Sequence, residues 1–144
     1  QDTQSDLFVT IFYAIWDPEK QCICYANAGH NPPLLLRRDG SAQLLSAHGM
    51  ALGVVPEVRM KSHTIKFLPG DMLLLYTDGV TEAMNEDFDE FGIGRLEQAV
   101  LKNRQRPAKL IARSITKAIR THAGDTPQFD DITLVVVKRE DVGL

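Results

Sequence analysis

Met72-Leu73-Leu74-Leu75-Tyr76-Thr77 is an apolar run that ends in Asp78-Gly79, and it divides the chain into two kinds of pattern. A short, continuous apolar run bounded by turn residues is typical of a fully buried β-strand. Before this run, short apolar stretches alternate with turn signals, which predicts several more strands. After Asp78, apolar residues recur at helical spacing instead. The class of the fold is therefore decided where strands give way to helices.

Two amphipathic helices are predicted in the second half of the chain. Apolar residues recur first at Ile93, Leu96, Val100 and Leu101, and then at Leu110, Ile111, Ile115, Ala118 and Ile119. Spacings of three, four and seven residues place such side chains on one face of a helix. Pro107 suits a first helical turn and Gly124 suits a helix end. Residues 132–138 predict a last buried strand, and strands with segregated helices indicate an α+β domain.

The first strands are expected to form a hairpin. Residues 7–16 are rich in β-branched and aromatic side chains and are apolar on both faces, which predicts a central strand covered on both sides. Residues 17–20 predict a turn, because Pro18 presets one backbone dihedral angle. Residues 21–27 then return as the second strand.

The composition limits the class of protein. A chain of 144 residues fits one compact domain, taken here as residues 1–144, and its 44% of hydrophobic residues is ordinary for a globular protein. A net charge of -3 argues against a nucleic-acid partner. No apolar run approaches the roughly 18 residues of a membrane helix, and residues 1–6 lack the basic start of a secretory signal. We expect a cytoplasmic protein in which Cys22 and Cys24 are reduced.

Two carboxylate sites stand out. Asp78 follows a buried strand and precedes Gly79, which permits a sharp turn, so the carboxylate can point into a cleft. Asp130 and Asp131 open the last predicted strand, where neighbouring residues point to opposite faces and only one of the two can face a shared site. Oxygen ligands without histidine or paired cysteine favour Mg²⁺ or Mn²⁺. Each aspartate also fits a simpler role in a turn or a solvated strand entry.

Six stretches of the chain occur in an order that resembles a known family. They are residues 8–10, 25–33, 51–54, 69–71, 77–83 and 130–133, which read FVT, YANAGHNPP, ALGV, PGD, TDGVTEA and DDIT. Together they resemble the bacterial PP2C-type serine/threonine phosphatases, in the branch of the sporulation stage II E and stress-response sigma-regulator phosphatases. The resemblance implies a β-sandwich of two antiparallel sheets flanked by helices.

The same resemblance implies roles for several side chains. Asp78 is expected to bind metal, and Asp130 is expected to supply the final ligand, with Asp131 as the fallback. Gly79 is expected to shape the loop and not to bind metal through a side chain. A complete domain of this family holds Mn²⁺ or Mg²⁺, two ions in all, and a water of lowered pKa attacks phosphorus. His30 is a candidate for substrate contact or proton transfer, or for a local hydrogen bond within its turn.

The sequence departs from the family pattern at one point. The segment Gly-Asp-x-Ser-Gly-x-Gly, whose aspartate bridges both metals in the family, is not found among the 144 residues. We therefore expect a PP2C-like domain without its amino-terminal segment, either a piece of a longer phosphatase or a short form that has lost catalysis. Two aspartates are too few for two metals, so this chain alone is expected to be incomplete for catalysis. Apolar surface left uncovered predicts self-association.

Two main functions remain open from the sequence. The first is metal-dependent removal of phosphate from phosphoserine or phosphothreonine on a regulatory protein, which the resemblance implies to be an anti-anti-sigma factor. The second is a phosphatase-like module that binds a partner without catalysis. Beside these two, the sequence also fits a plain α+β domain whose aspartates are only turn residues. Arg37, Arg38 and Lys109 are candidate phosphate contacts, although a solvated charge is the simpler interpretation of each.

Overall fold

Two antiparallel sheets and three helices make up the described part of the chain. The computed structural model describes residues 7–46, 49–57 and 59–140, and residues 1–6, where no secretory signal is recognised, lie outside this part. The elements are β1 (Ile11–Asp17), β2 (Cys22–Ala28), β3 (Leu34–Leu36), β4 (Ala42–Leu44), β5 (His63–Lys66), β6 (Met72–Tyr76), α1 (Asp78–Thr81), α2 (Gly92–Asn103), α3 (Ala108–Ala123) and β7 (Leu134–Lys138). One sheet has the order β1-β2-β5 and the other β4-β3-β6-β7. The predicted α+β class with two antiparallel sheets and helices is confirmed.

The chain divides into two compact units. The first unit contains residues 1–32 and 46–68, and the second contains residues 33–45 and 69–144. The three-stranded sheet belongs to the first unit, and the four-stranded sheet with all three helices belongs to the second. Within the described ranges, no helix combines the length and apolar character that a membrane span requires.

The core of the second unit lies between its sheet and the helices α2 and α3. The buried side chains of the helices are Leu96, Val100, Ile111, Ile115 and Ile119, and those of the sheet include Leu34, Leu36, Met72 and Leu74. Burying one such side chain contributes about 1.5–3 kcal/mol. The periodicity that predicted two helices therefore identified the faces that hold this unit together, and Gly124, with φ 57°, ends α3 as predicted.

Strand β6 lies in the middle of the second sheet, between β3 and β7. Its residues are buried except for the partly buried Leu75, which confirms the strand predicted from residues 72–77. In the antiparallel register, Met72 pairs with Lys138 and Tyr76 pairs with Leu134. The carboxyl end of β6 therefore meets the start of β7, and the acidic residues that follow or precede these strands come to the same end of the sheet.

The prediction that residues 7–16 form a central, covered strand is wrong. Strand β1 begins at Ile11 and lies at one edge of its sheet, paired with β2. Tyr13 is 59% exposed and Ile15 is 53% exposed. An apolar pattern shows which faces a strand is able to bury, and the described residues do not supply a covering element for this one.

A buried ion pair closes the end of the second sheet where β6 begins. Arg37 donates from Nη1 to Oδ2 of Asp71 at 2.7 Å, and the backbone N–H of Arg38 donates to Oδ1 at 3.2 Å. The Asp71 side chain is 3% exposed, whereas that of Arg37 is 28% exposed. The sequence suggested that Arg37 is a solvated charge, and the ion pair with Asp71 shows that it is not. Its guanidinium compensates a carboxylate that is withdrawn from water.

Arg37→Ala should lower the free energy of unfolding by about 3 kcal/mol, because it leaves the Asp71 carboxylate buried without its charged partner. Urea unfolding followed by circular dichroism measures the loss. Lys20→Ala is the matched control, because the Lys20–Asp17 pair spans 3.7 Å between side chains that are 79% and 36% exposed, and such pairs contribute little. Equal losses in the two variants would contradict this account of the buried pair.

Candidate metal centre

Asp78 lies at the junction of strand β6 and the short helix α1. It is the first residue of α1 and its side chain is exposed. The turn is closed by backbone hydrogen bonds from Val80 to the carbonyl of Thr77 at 2.9 Å and from Glu82 to the carbonyl of Asp78 at 2.8 Å. Asp78 thus lies just beyond the end of a buried strand, as its position in the sequence predicted.

Thr77 links this turn to the acidic pair. Its hydroxyl donates to the carbonyl of Asp131 at 3.0 Å and accepts from the backbone N–H of Thr133 at 3.0 Å. The backbone N–H of Thr77 also donates to the carbonyl of Thr133 at 3.2 Å. Sequence reasoning missed this residue. The signal that could have identified it is a hydroxyl side chain between a buried strand and Asp-Gly, where unpaired backbone groups need partners.

Gly79 allows the two acidic segments to approach each other closely. A Cβ atom at this position would lie 2.2 Å from the carbonyl oxygen of Asp131 and 3.1 Å from that of Asp130. No side chain fits in such a space. Gly79 lies within α1, so the requirement is for space and not for the sharp turn that the sequence suggested.

Asp130 and Asp131 lie in the loop before the last strand, because β7 begins only at Leu134. The expectation that they open the strand and point to opposite faces is therefore wrong. The Asp130 carboxylate accepts a hydrogen bond from the N–H of Asp131 at 2.7 Å, and the Gln128 side chain donates to the Asp130 carbonyl at 2.8 Å. These short contacts order the loop, and both aspartate side chains are exposed.

Burial and the nearby Asp78 carboxylate change the pKa of Tyr76. The pKa of Tyr76 is raised above its usual value, first because the hydroxyl is withdrawn from water and second because the Asp78 carboxylate disfavours a phenolate nearby. Both effects keep the Tyr76 phenol in its neutral form.

The donor atoms at this end of the sheet suit a hard divalent cation. Asp78, Asp130 and Asp131 offer carboxylate oxygens, and the carbonyls of Asp130 and Asp131 face Gly79. Oxygen ligands of this kind are those that Mg²⁺ and Mn²⁺ prefer. Within the described ranges, however, no group of three or more histidine, cysteine or acidic side chains converges. The residues fit part of a metal site and not a whole one.

His30 belongs to the first unit, whereas the aspartates belong to the second. Its backbone N–H donates to Oδ1 of the buried Asn27 at 2.7 Å, and the Asn27 amide donates to the His30 carbonyl at 2.9 Å. Its ring nitrogen Nδ1 lies 3.3 Å from the hydroxyl of Thr10. These contacts provide the local hydrogen bonding that its turn suggested, and a catalytic role for His30 stays a prediction.

The remaining candidate cations are Arg37, Arg38 and Lys109, all in the second unit. Lys109 is exposed on the first turn of α3. Arg38 is exposed, and its stem packs over Gly70, where an added Cβ would meet it at 2.9 Å. The Arg37 guanidinium binds Asp71, and a phosphate contact by Arg37, Arg38 or Lys109 stays a prediction.

Comparison with known proteins identifies the family. The family model for Stage II sporulation protein E (SpoIIE) matches residues 1–140. Protein IcfG of Synechocystis is 33% identical over 133 residues, which are 92% of this chain and 21% of that protein. Phosphoserine phosphatase RsbU of Bacillus subtilis is 31% identical over 144 residues, which are 97% of this chain and 42% of that protein. The chain thus spans less than half the length of these relatives.

Solved structures identify the fold. The SiaA-PP2C domain of Pseudomonas aeruginosa superposes with a TM-score of 0.79 at 21% identity, over 90% of this chain and 51% of that one. The PP2C phosphatase domain of SpoIIE from Bacillus subtilis gives a TM-score of 0.76 at 19% identity, over 90% of this chain and 37% of that one. At these identities the likeness establishes the PP2C fold. Because the family model covers nearly all of its residues, the chain belongs to the SpoIIE family of bacterial PP2C-type phosphatase domains.

Proposed function

We propose that this chain is part of a protein serine/threonine phosphatase that depends on Mn²⁺ or Mg²⁺. The observation that carries the proposal is the meeting of Asp78 with the Asp130–Asp131 loop at one end of the second sheet, through the Thr77 hydroxyl and the close approach at Gly79. The antiparallel pairing of β6 with β7 brings the two segments to one end of the sheet. The acidic residues on both segments supply the oxygen ligands that Mg²⁺ and Mn²⁺ prefer.

In this proposal the chain's own residues position the carboxylates. Asp78 and Asp130 would hold the cations, with Asp131 as the alternative to Asp130, and Thr77 links the two segments. The hydrogen bond from the N–H of Asp131 sets the direction of the Asp130 carboxylate before any metal binds. When bound there, Mg²⁺ or Mn²⁺ would provide a water of lowered pKa as nucleophile and would compensate charge on the phosphoryl group. A complete domain would hold two ions in this proposal. The further ligands would come from residues outside this chain.

The proposed substrate is a phosphorylated regulatory protein of the anti-anti-sigma type, and the proposed compartment is the cytoplasm. Support for the substrate comes from relatives such as RsbU, which is named a phosphoserine phosphatase. Support for the compartment comes from Cys22 and Cys24, which are free thiols in strand β2. Thiols two residues apart stay reduced most readily in the cytoplasm.

A phosphatase-like binding module is the second candidate. The observation in its favour is that fewer than three potential ligand side chains converge in the described ranges. In that case the domain would recognise a partner without hydrolysis. Turnover in the full-length protein separates the two functions.

Asp78→Asn should reduce Mn²⁺-dependent hydrolysis of p-nitrophenyl phosphate by the full-length protein at least about 100-fold, because even residues behind metal ligands cost about 10–100-fold when replaced. Rates with Mn²⁺ and with a chelator, together with circular dichroism, measure activity and fold. Asp39→Asn, an exposed aspartate in a turn of the same unit, is the control and should retain activity.

The isolated chain should show no chelator-sensitive hydrolysis, since its own carboxylates fill only part of a metal site. Full activity of Asp78→Asn in the full-length protein would refute the assignment of Asp78. Absence of metal-dependent turnover in the unaltered full-length protein would favour the binding module.

Gly79→Ala should lower both stability and activity, because its methyl group would be forced against the backbone of Asp131. The expected loss of unfolding free energy is about 1–3 kcal/mol, the usual cost of overpacking. Gly94→Ala is the matched control: it is also a helical glycine, with nothing within 4 Å of an added Cβ, and should gain up to about 1 kcal/mol. Thermal unfolding and p-nitrophenyl phosphate turnover measure both effects, and similar behaviour of the two variants would contradict the proposed close approach.

The apolar side chains of β1 support the further proposal that the chain self-associates. Tyr13 and Ile15 lie on one face of β1 and are 59% and 53% exposed. No described strand pairs with the outer edge of β1 along its length. Edge strands with exposed apolar residues tend to pair with another chain.

Ile15→Asp should shift the isolated chain towards monomer in sedimentation velocity, because it places charge on the apolar face of β1. Val54→Asp, at a loop position that is 57% exposed, is the control and should leave the distribution unchanged. A monomer at every concentration of the unaltered chain would contradict self-association.

A further inference from the structure

Two phenylalanines of the second unit are almost fully exposed beside the proposed metal centre. Phe88 is 84% exposed and Phe129 is 81% exposed. Phe129 lines a cavity of about 300 Å³ that also touches Gly79 and Asp130. It lines a second cavity, of about 410 Å³, together with Phe88. We call the two cavities and these two rings the phenylalanine groove. Exposed apolar surface of this kind is typical of a binding site.

Hydrogen bonds fix the loop that carries Phe88. The side-chain oxygen of Asn85 accepts hydrogen bonds from the N–H groups of Asp87 at 3.0 Å and Asp89 at 2.8 Å. Nε2 of His122 on α3 donates to the Asp89 carbonyl at 2.9 Å. Phe88 itself has φ 63°, a left-handed conformation that is unfavourable for a bulky residue. Phe88 thus combines an unfavourable backbone conformation with an exposed aromatic ring, a combination that is typical of functional sites.

Negative charge surrounds the phenylalanine groove. Glu82, Glu90 and Asp130 line the first cavity, and Glu86 and Asp125 line the second. Against these carboxylates, the described lining residues include Arg120 as a cation. A phosphorylated segment that carries further acidic residues would be repelled here. A segment with lysine or arginine beside an apolar side chain matches both the charge and the apolar character of the groove.

We propose that the phenylalanine groove binds the segment of the phosphoprotein substrate that flanks its phosphorylated residue. An apolar side chain of that segment fills the cavity between Gly79 and Phe129, Phe88 packs against the segment from the loop, and basic side chains of the segment pair with Glu86 and Asp125. The groove reaches the metal centre at Asp130, so a phosphate placed there has its flanking residues beside Phe129. This inference rests on the proposed phosphatase function and assigns the residues that select its substrate.

The test compares two synthetic phosphoserine peptides with p-nitrophenyl phosphate, using the full-length protein and Mn²⁺. One peptide carries leucine and arginine on both sides of phosphoserine, and the other carries serine and glutamate. Phe88→Ala should reduce the ratio of kcat/KM for the leucine–arginine peptide to that for p-nitrophenyl phosphate about tenfold, mainly through KM. Leu110→Ala, which removes an exposed apolar side chain from α3, is the control and should leave the ratio unchanged.

Charge reversal gives an independent arm of the test. Glu86→Lys should weaken the preference for the arginine peptide over the glutamate peptide, and added salt should reduce that preference in the unaltered protein. An unchanged ratio in Phe88→Ala together with an unchanged preference in Glu86→Lys would overturn the groove assignment. A change of oligomeric state in Phe88→Ala without a change in the ratio would overturn it in favour of a second copy of the chain. If the unaltered protein hydrolyses neither peptide nor p-nitrophenyl phosphate, the proposed phosphatase function fails first.

Discussion

The hydroxyl of Thr77 makes the two hydrogen bonds on which the proposed site depends. By donating to the carbonyl of Asp131 and accepting from the N–H of Thr133, it joins the end of β6 to the loop before β7. Gly79 completes the junction, since only a residue without a side chain lets the Asp131 carbonyl come so close. Two acidic segments about 50 residues apart in sequence are thereby held at one end of one sheet.

The opposite end of the same strands is fixed by a different interaction. Asp71 accepts from the guanidinium of Arg37, and its backbone carbonyl accepts from the N–H of Arg139 at 2.9 Å. This places an ion pair where β3 ends, β6 begins and β7 finishes. A carboxylate there is structural because a cation already compensates it. At the other end of β6, burial first and the Asp78 carboxylate second raise the pKa of the Tyr76 phenol. The two aspartates at the ends of this strand thus lie in different electrostatic surroundings.

The sequence was informative wherever periodicity and burial coincide. The apolar spacing of residues 93–101 and 110–119 gave both long helices, because their buried faces are the core of the second unit. The pattern of residues 7–16 misled, because it records which faces are apolar and not which partner is present. The position of Asp130 before β7 and the role of Thr77 depend on hydrogen bonds between distant segments, which no local pattern records. The family was predicted from the six ordered stretches of sequence and not from the spacing of apolar residues.

Exposed apolar residues occur on both units, but their surroundings give them different meanings. Those on β1 lie on a regular strand at one edge of its sheet, where Tyr13 and Ile15 share an exposed face. Phe88 belongs to no sheet. The Asn85 side-chain oxygen accepts hydrogen bonds from the loop backbone, and the His122 ring donates to it, while Phe88 keeps a left-handed backbone conformation. The open edge of a sheet does not explain a loop that holds Phe88 at positive φ with its aromatic ring exposed. The way Phe88 is held, together with its exposure, therefore supports a substrate groove.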